Sequence, residues 1–267
     1  MLDNLTICIP TSHRAGVMTT LNWIPKKLYK NTHLFLHKSE LKDYSDYNVT
    51  KQTHSLSNLA LIRDKAVQRC TTRYLYLIDD NVKFRYLHEK ASEKDMLKFF
   101  KKQLEWLTHV PMVGPRHPFM ITKKVMDEKE YETDTRTAYA FGIDLDILKK
   151  HNFKFAILPE GNFSSDQHMA LNFIEHGYHI WMSNRWTIEK VITSNRLSSG
   201  CNANGRNEKT YEDSLRLLAK YHPYVKLKRQ KNWNRNTSIF RTDLTLTIYW
   251  KRSFGIKSKN PITKYFK

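Results

Sequence analysis

Tyr74-Leu75-Tyr76-Leu77-Ile78-Asp79-Asp80-Asn81 is the stretch from which the rest of the chain can be read. An apolar run, dense in aromatic and branched residues, stops abruptly on two carboxylates and an amide. A run of this kind predicts a buried strand, and in open α/β sheets the side chains just past the carboxyl ends of strands are the ones that meet ligands. Two adjacent acids there suit a divalent metal, a ribose hydroxyl or a diphosphate. A polar turn closing the strand fits equally well, because Asp and Asn are favoured turn residues.

Working backwards, 59–70 has helical spacing, with Leu59, Ile62, Ala66 and Val67 on one side and Arg63, Lys65 and Arg69 elsewhere. Leu5 to Ile9 reads as a first strand ending at Pro10, followed by the polar loop Thr11-Ser12-His13-Arg14-Ala15-Gly16. Val17 to Leu28 predicts a helix broken by Pro25. His33 to His37 and Val49 to His54 read as further strands. Alternation of strand and helix over this half predicts an α/β fold, a mostly parallel sheet flanked by helices.

Working forwards, Lys94 to Leu107 is an amphipathic helix with Met96, Leu97, Phe100, Leu104 and Leu107 on its apolar side. Pro111 to Pro118, with Gly114, reads as a loop, and Met126 to Arg136 as a mobile charged surface loop. Tyr139 to Ile143 predicts a strand and Asp144 to His151 a short helix. In Pro159-Glu160-Gly161-Asn162-Phe163-Ser164-Ser165-Asp166 the Ser164–Gln167 spacing is that of a capping box. It places Asp166 in the first turn of a helix that runs through Phe173 and stops at Gly177. An acid there is good helix chemistry in its own right, since the helix N-terminus favours negative charge. His179 to Met182 follows as a strand, Tyr211 to Tyr221 as a helix, and Leu244 to Trp250 alternates as a strand that would put Trp250 in the core.

The length of 267 residues suits one elaborated domain, or a domain with an appendage. No apolar run approaches the roughly 20 residues of a membrane span, and Met1 to Leu5 begins nothing like a signal peptide. The three cysteines, Cys8, Cys70 and Cys201, lack metal spacing and point to reduced thiols and a cytoplasmic setting. The formal charge of +19 implies a polyanionic partner, nucleic acid first. From Arg216 onward Asp243 is the only acid among many cations with aromatics between them. A solvated basic face is the alternative reading of that tract.

In order, these pieces resemble a GT-A (Rossmann-like) glycosyltransferase. Leu61-Ile62-Arg63-Asp64-Lys65-Ala66 is similar to the basic helix motif of that fold, and Asp79-Asp80-Asn81 to its Asp-x-Asp signature. Ser164-Ser165-Asp166 followed by His176-Gly177-Tyr178 is similar to its acid-bearing helix. Ile9 to Gly16 and Ile78 to Phe84 most resemble phage glycosyltransferases, of the TET-associated type, that modify hydroxymethylated pyrimidines in DNA. Two departures stand out: Asn81 replaces an expected aspartate, and Ser165 replaces a glutamate.

The resemblance implies a donor and catalytic domain over 1–195 and a basic segment, 196–267, that completes the acceptor surface. It implies a nucleotide-diphosphate sugar, a UDP-sugar first, with Mn²⁺ or Mg²⁺ on Asp79, Asp80 and Asn81. Pro10, Thr11, His13, Arg14, Arg63, Lys65, Asp79 and Asn81 are then candidates for the nucleotide sugar, and Asp166 for the general base. The acceptor would be duplex DNA carrying hydroxymethylated pyrimidines, in the cytoplasm of the host if a phage encodes the chain. Arg206, Lys228, Arg229, Lys231, Arg235, Lys251 and Arg252 are the candidate DNA contacts. Two rival expectations stand beside it: a transferase of surface polysaccharide, and a nucleic-acid-binding protein or nuclease holding metal on Asp79, Asp80 and Glu160.

Overall fold

The computed structural model describes residues 2–118, 121–137, 139–159, 164–191, 208–229 and 243–255. In chain order the strands are β1 (Leu5–Pro10), β2 (Thr32–His37), β3 (Thr50–His54), β4 (Tyr74–Ile78), β5 (Val82–Tyr86), β6 (Glu89–Lys90), β7 (Met112–Arg116), β8 (Tyr131–Thr133), β9 (Ala140–Asp144), β10 (Ile180–Lys190), β11 (Val225–Arg229) and β12 (Leu244–Ile248). The helices are α1 (Leu59–Arg69), α2 (Glu93–Leu107), α3 (Lys123–Glu128), α4 (Leu145–Lys150), α5 (Ser165–Glu175) and α6 (Glu208–Tyr221). One ten-stranded mixed sheet runs β3-β2-β1-β4-β9-β7-β10-β5-β6, with β8 also on β10. β1 to β4 form its parallel half.

β4 lies in the middle of this sheet, parallel to β1 and antiparallel to β9. Its side chains alternate between two apolar layers. Tyr74, Tyr76 and Ile78 join Phe99, Phe100 and Leu104 of α2 on one face. Leu75 and Leu77 join Ala66 of α1 and Phe173 of α5 on the other. Burial on both faces is why the strand is apolar throughout rather than alternating. The chain can turn polar only where it leaves both layers, at Asp79.

Several expectations need correction. The helix expected over 17–28 is instead two 3-10 segments, Thr20–Trp23 and Lys26–Asn31, separated at Pro25. Thr20 is committed elsewhere: its amide donates to the Asp80 carbonyl and its hydroxyl to the Asp79 carbonyl, at 3.2 and 2.6 Å. The loop expected over 111–118 contains the central strand β7. Gly114 is there because a Cβ would meet the Ala140 carbonyl of β9 at 2.8 Å, so it serves a close strand approach. The expected mobile loop over 126–136 holds the end of α3 and β8. β10 runs eleven residues, well beyond Met182, through the buried polar pair Ser183 and Asn184 and an irregularity in its pairing with β7. Ser164 makes no side-chain cap; its backbone is left-handed at φ 56°, not the extended form that aims an N-cap hydroxyl at the helix amides.

β12 ends at Ile248, so Trp250 opens a 3-10 turn, Trp250–Ser253, and is partly buried against the second apolar layer. β11 and β12 pair as an antiparallel ribbon. α6 is tied to α5 by a buried polar chain. His222 Nδ1 donates to the Glu175 carboxylate at 3.0 Å, and its Nε2 lies 2.9 Å from His168 Nδ1. His168 Nε2 lies 3.2 Å from the Asn172 amide. Among the described residues no helix is long and apolar enough to cross a membrane. Cys8 and Cys70 are free thiols.

Candidate active site

The chain turns immediately after β4, and Asp79, Asp80 and Asn81 diverge. Asp79 faces α1 and the end of β10. Arg63 Nη2 lies 3.2 Å from its Oδ1, and Lys190 Nζ lies 3.2 Å from its Oδ2. Arg63 can reach the strand end because α1 packs its Ala60–Ile62–Ala66 side on the sheet, leaving position 63 on the flank toward Asp79. Its guanidinium lies over the Phe141 ring at 5.2 Å, and its Nη1 donates to Ser165 Oγ at 2.9 Å. Arg63 therefore bridges the acidic strand end and the first residue of α5.

Asp80 turns toward the β1 loop, where Arg14 Nε lies 3.3 Å from its Oδ2. Burial pushes the Asp80 carboxyl up to about 6, against the opposing pull of Arg14 and of a hydrogen bond from Thr11. Asn81 points away from both. Its amide donates to the Val191 carbonyl at 2.9 Å, and its own carbonyl accepts from the Val191 amide at 2.7 Å. This exchange fixes the end of β10, and so the root of Lys190, to the turn.

The β1 loop is held by the 3-10 segment Lys38–Tyr44 and by Tyr47. His13 N donates to Glu40 Oε2 at 2.6 Å, Arg14 N to the Tyr44 hydroxyl at 2.9 Å and Gly16 N to the Tyr47 hydroxyl at 3.0 Å. Burial pushes Tyr44 up to about 12, so it stays protonated and joins Thr11 as well as Arg14. These loop amides are satisfied internally. What the loop presents outward is the His13 ring, with its side chain 51% exposed. Pro10 and Thr11 are buried at the strand end.

Asp166 is half-buried in the first turn of α5, with Thr137 Oγ1 at 3.5 Å from its Oδ2. Two residues before Thr137, Thr135 lines a cavity of about 410 Å³ together with Arg116, Glu132, Tyr249, Trp250, Lys251 and Arg252.

Of the residues singled out in the sequence, Arg14, Arg63, Asp79, Asp80 and the start of α5 come together. Lys65 does not join them: two residues along α1 from Arg63, it bonds Gln68 on the helix surface. Arg206, Lys231, Arg235 and Glu160 lie outside the described residues. Lys228, Arg229, Lys251 and Arg252 are exposed, but differ in their partners. Arg229 pairs with Asp243 at 2.9 Å and Lys251 with Glu132 at 3.0 Å. Arg252 lies over the Tyr249 ring. Lys190 went unread in the sequence; its only signal was a cation closing an apolar alternation.

A divalent cation would find hard oxygen ligands on Asp79 and Asp80, the kind of donor Mg²⁺ and Mn²⁺ prefer. Asn81 is set differently from them, with its side-chain Nδ2 held by the Val191 carbonyl. Among the described residues no three His, Cys, Asp or Glu side chains are grouped to share one ion.

No protein-family description matches the sequence, and no curated protein does. Solved structures do match in fold. GalNAc-T7 with UDP, GalNAc and Mn²⁺ aligns with a TM-score of 0.53 at 9% identity, over 82% of this chain and 48% of that one. S. aureus TarS 1-349 with UDP-GlcNAc aligns with 0.51 at 10% identity, over 81% and 65%. A third, the Pyrobaculum calidifontis mannosyltransferase PcManGT with GDP-Man and Mn²⁺, gives 0.48 at 12%, over 72% and 58%. The chain thus spans between about half and two thirds of the lengths of these structures. The first two fix its fold as theirs, the sheet expected from the alternating strands and helices.

Proposed function

We propose that this chain is a glycosyltransferase that moves a sugar from a nucleotide-diphosphate sugar to an acceptor hydroxyl, with Asp166 as general base. The observation that carries the reading is the Arg63 bridge between Asp79 and Ser165. An acidic strand end alone is a turn. Joined through one guanidinium to a second carboxylate at a helix start, it supplies the two things transfer needs. One is a charged end for the departing diphosphate, and the other is a base within one residue of the bridge. That the fold is shared with GalNAc-T7 and TarS supports this reading.

In this reading Asp79 and Asp80 hold Mn²⁺ or Mg²⁺, which when bound neutralises charge developing on the diphosphate. Arg14 and Arg63 fix the direction of the two carboxylates. His13 is the part of the β1 loop exposed to the nucleotide, with Pro10 and Thr11 buried behind it at the strand end. Asp166 takes the proton from the acceptor hydroxyl as the new glycosidic bond forms.

The acceptor we infer is DNA with hydroxymethylated pyrimidines, the donor part being 1–195 and the acceptor surface being completed by 196–267. Support comes from the +19 charge and from the exposed Lys251 and Arg252, which line a cavity together with the Tyr249 and Trp250 rings. The test compares transfer to hydroxymethylated duplex, unmodified duplex and oligosaccharide. Transfer to oligosaccharide alone would overturn the DNA assignment. Asp166→Asn should cost about 10²- to 10⁴-fold in turnover while leaving UDP binding in place. Near-normal turnover in that variant would remove Asp166 from the reaction.

A further inference from the structure

The cavity between β8 and the 3-10 turn Trp250–Ser253 serves no step of the donor chemistry, yet its volume of about 410 Å³ is that of a small-molecule site, roughly 300–1,000 Å³. Its polar lining is anchored residue by residue. Arg116 Nη1 donates to Oδ1 of the fully buried Asn184 at 2.7 Å, and Asn184 Nδ2 donates in turn to the Lys129 carbonyl at 3.1 Å. Asp134, left-handed at φ 49°, accepts from the Ile180 amide at 3.1 Å, and its other oxygen lies 2.7 Å from His179 Nδ1. Glu132 accepts from Lys251 Nζ at 3.0 Å, which joins β8 to the turn. The turn itself is tied down at both ends. The Tyr249 amide donates to the Tyr224 carbonyl at 3.0 Å and the Gly255 amide to the Ile174 carbonyl at 2.9 Å, while Phe254 stacks on His179 at 4.2 Å.

The mixture of groups narrows the ligand. Glu132 and Asp134 lie in the same lining as Arg116, Lys251, the Thr135 hydroxyl and the rings of Tyr249 and Trp250. Two carboxylates oppose a phosphate, and a wholly apolar ligand would desolvate these charges without replacing their hydrogen bonds with water. A polyol satisfies both kinds of group. Each of its hydroxyls can donate to a carboxylate while accepting from a guanidinium or an ammonium, and the C–H face of a pyranose lies well against an aromatic ring.

We propose that this cavity is a carbohydrate site that takes a pyranose by its hydroxyls, with Glu132 accepting and Arg116 donating. The proposal depends on no assignment at the end of β4, since none of these residues belongs to the proposed donor site. Lys251 and Arg252 are also proposed duplex contacts, so the sugar can be free or carried on nucleic acid. The second source rests on the DNA reading, and the test separates the two.

Ligand-observed NMR on the full chain, with UDP titrated in parallel, supplies the test. The probes are the methyl pyranosides of glucose, galactose, mannose and N-acetylglucosamine, maltose and lactose, inorganic phosphate, and hydroxymethylated duplexes with and without glucose on the hydroxymethyl groups. At least one saccharide should bind, and Glu132→Gln should weaken it about tenfold by removing a charged acceptor. A phosphate in the same place would instead bind more tightly in Glu132→Gln, because Lys251 loses its carboxylate. Arg116→Lys should weaken the sugar by a similar factor, because the two-pronged donor is lost while the charge stays. Arg116→Lys also strips a partner from Asn184, so Glu132→Gln, with its side chain 22% exposed in the wild type, is the deciding variant. UDP affinity should be unchanged in both. A glucosylated duplex that binds more tightly than the hydroxymethylated one, with the gain lost in Glu132→Gln, supports a sugar carried on nucleic acid. Equal binding of the two duplexes, with a free saccharide bound and weakened by Glu132→Gln, supports a free one. No binding by any saccharide, a sugar affinity unchanged in Glu132→Gln, or phosphate binding that rises in that variant while sugars are ignored overturns the proposal. Any of these with UDP still bound leaves the donor reading standing, and sugar binding without UDP binding would sink that reading alone.

Discussion

Arg63 is 5% exposed between Asp79 and Ser165, whereas Lys228 stands in solvent on β11 with no ion-pair partner among the described residues. Both are cations in a strongly basic chain, but burial gives their charges different uses. At the end of β4 the guanidinium is desolvated, fixed and directional, so its loss leaves Asp79 and Ser165 misaligned as well as uncompensated. On β11 the charge is screened by water and salt, and contributes to a field rather than to a geometry. The first kind of charge builds a site; the second, under the proposed function, attracts the acceptor polymer. The two regions should therefore fail differently when they are perturbed.

The largest expected difference is in stability. Arg63→Gln removes one partner of a buried pair and should cost about 3 kcal/mol in chemical denaturation, the low end for such a loss because Lys190 stays on Asp79. Lys228→Ala should stay within about 0.5 kcal/mol of the wild type. Equal effects of the two substitutions would erase the distinction between a fixed and a field charge.

A second difference is in response to salt. Binding to duplex DNA should weaken steeply as salt rises, and each exposed cation that touches phosphate should contribute about 1 to the slope of log affinity against log salt. Lys228→Ala should flatten the slope more than Arg229→Ala or Lys251→Ala, because those two must first leave Asp243 and Glu132. Arg63→Gln should leave the slope unchanged. Affinity indifferent to salt would refute the electrostatic account of the basic ribbon, and a salt slope that moved with Arg63 would put that residue on the outside.

How far each region was legible in the sequence follows the same division. β4 and its acidic end could be read because burial on both faces imposes an unbroken apolar run, and leaving the core imposes polarity at once. α2 declared itself by its periodicity, whereas the Ser92–Asp95 capping box that opens it went unread. β7 was hidden by Gly114 and Pro115, which mark breaks locally but here serve a close strand approach and a strand end. Thr20 was read as helical because its hydrogen bonds to the β4 turn span some sixty positions and leave no local pattern. The site was legible to the extent that its residues lay next to a recognisable element. Arg63 was visible as a cation on a helix, but not as a bridge to Ser165, 102 positions away. Lys190 reaches Asp79 across 111 positions and had no pattern of its own.

The buried chain Asn172–His168–His222–Glu175 extends the contrast to pH, with the smallest expected effect. The histidines lie 54 positions apart, and their meeting ties the carboxyl-terminal helix α6 to α5, whose first turn carries Asp166. Burial, with His222 alongside, holds the His168 ring well below the usual histidine range, so in the folded chain it stays neutral. The unfolded chain takes up that proton near pH 6.5 and the folded chain does not. Stability from this group is therefore whole above pH 6.5 and falls as pH drops through and below it, by at most about 1.4 kcal/mol per pH unit. From pH 6.5 to 5.5 the loss adds up to about 1 kcal/mol, which for a chain of this size is a melting shift of roughly 2–4 °C. His168→Gln should remove this share of the acid slope at some cost in stability at neutral pH, and an NMR titration should find the wild-type His168 ring neutral well below pH 6.5. A ring that charges near pH 6.5 with α6 still in place would mean that this interior tolerates charge as the ribbon does. The contrast between the two regions would then rest on Arg63 alone.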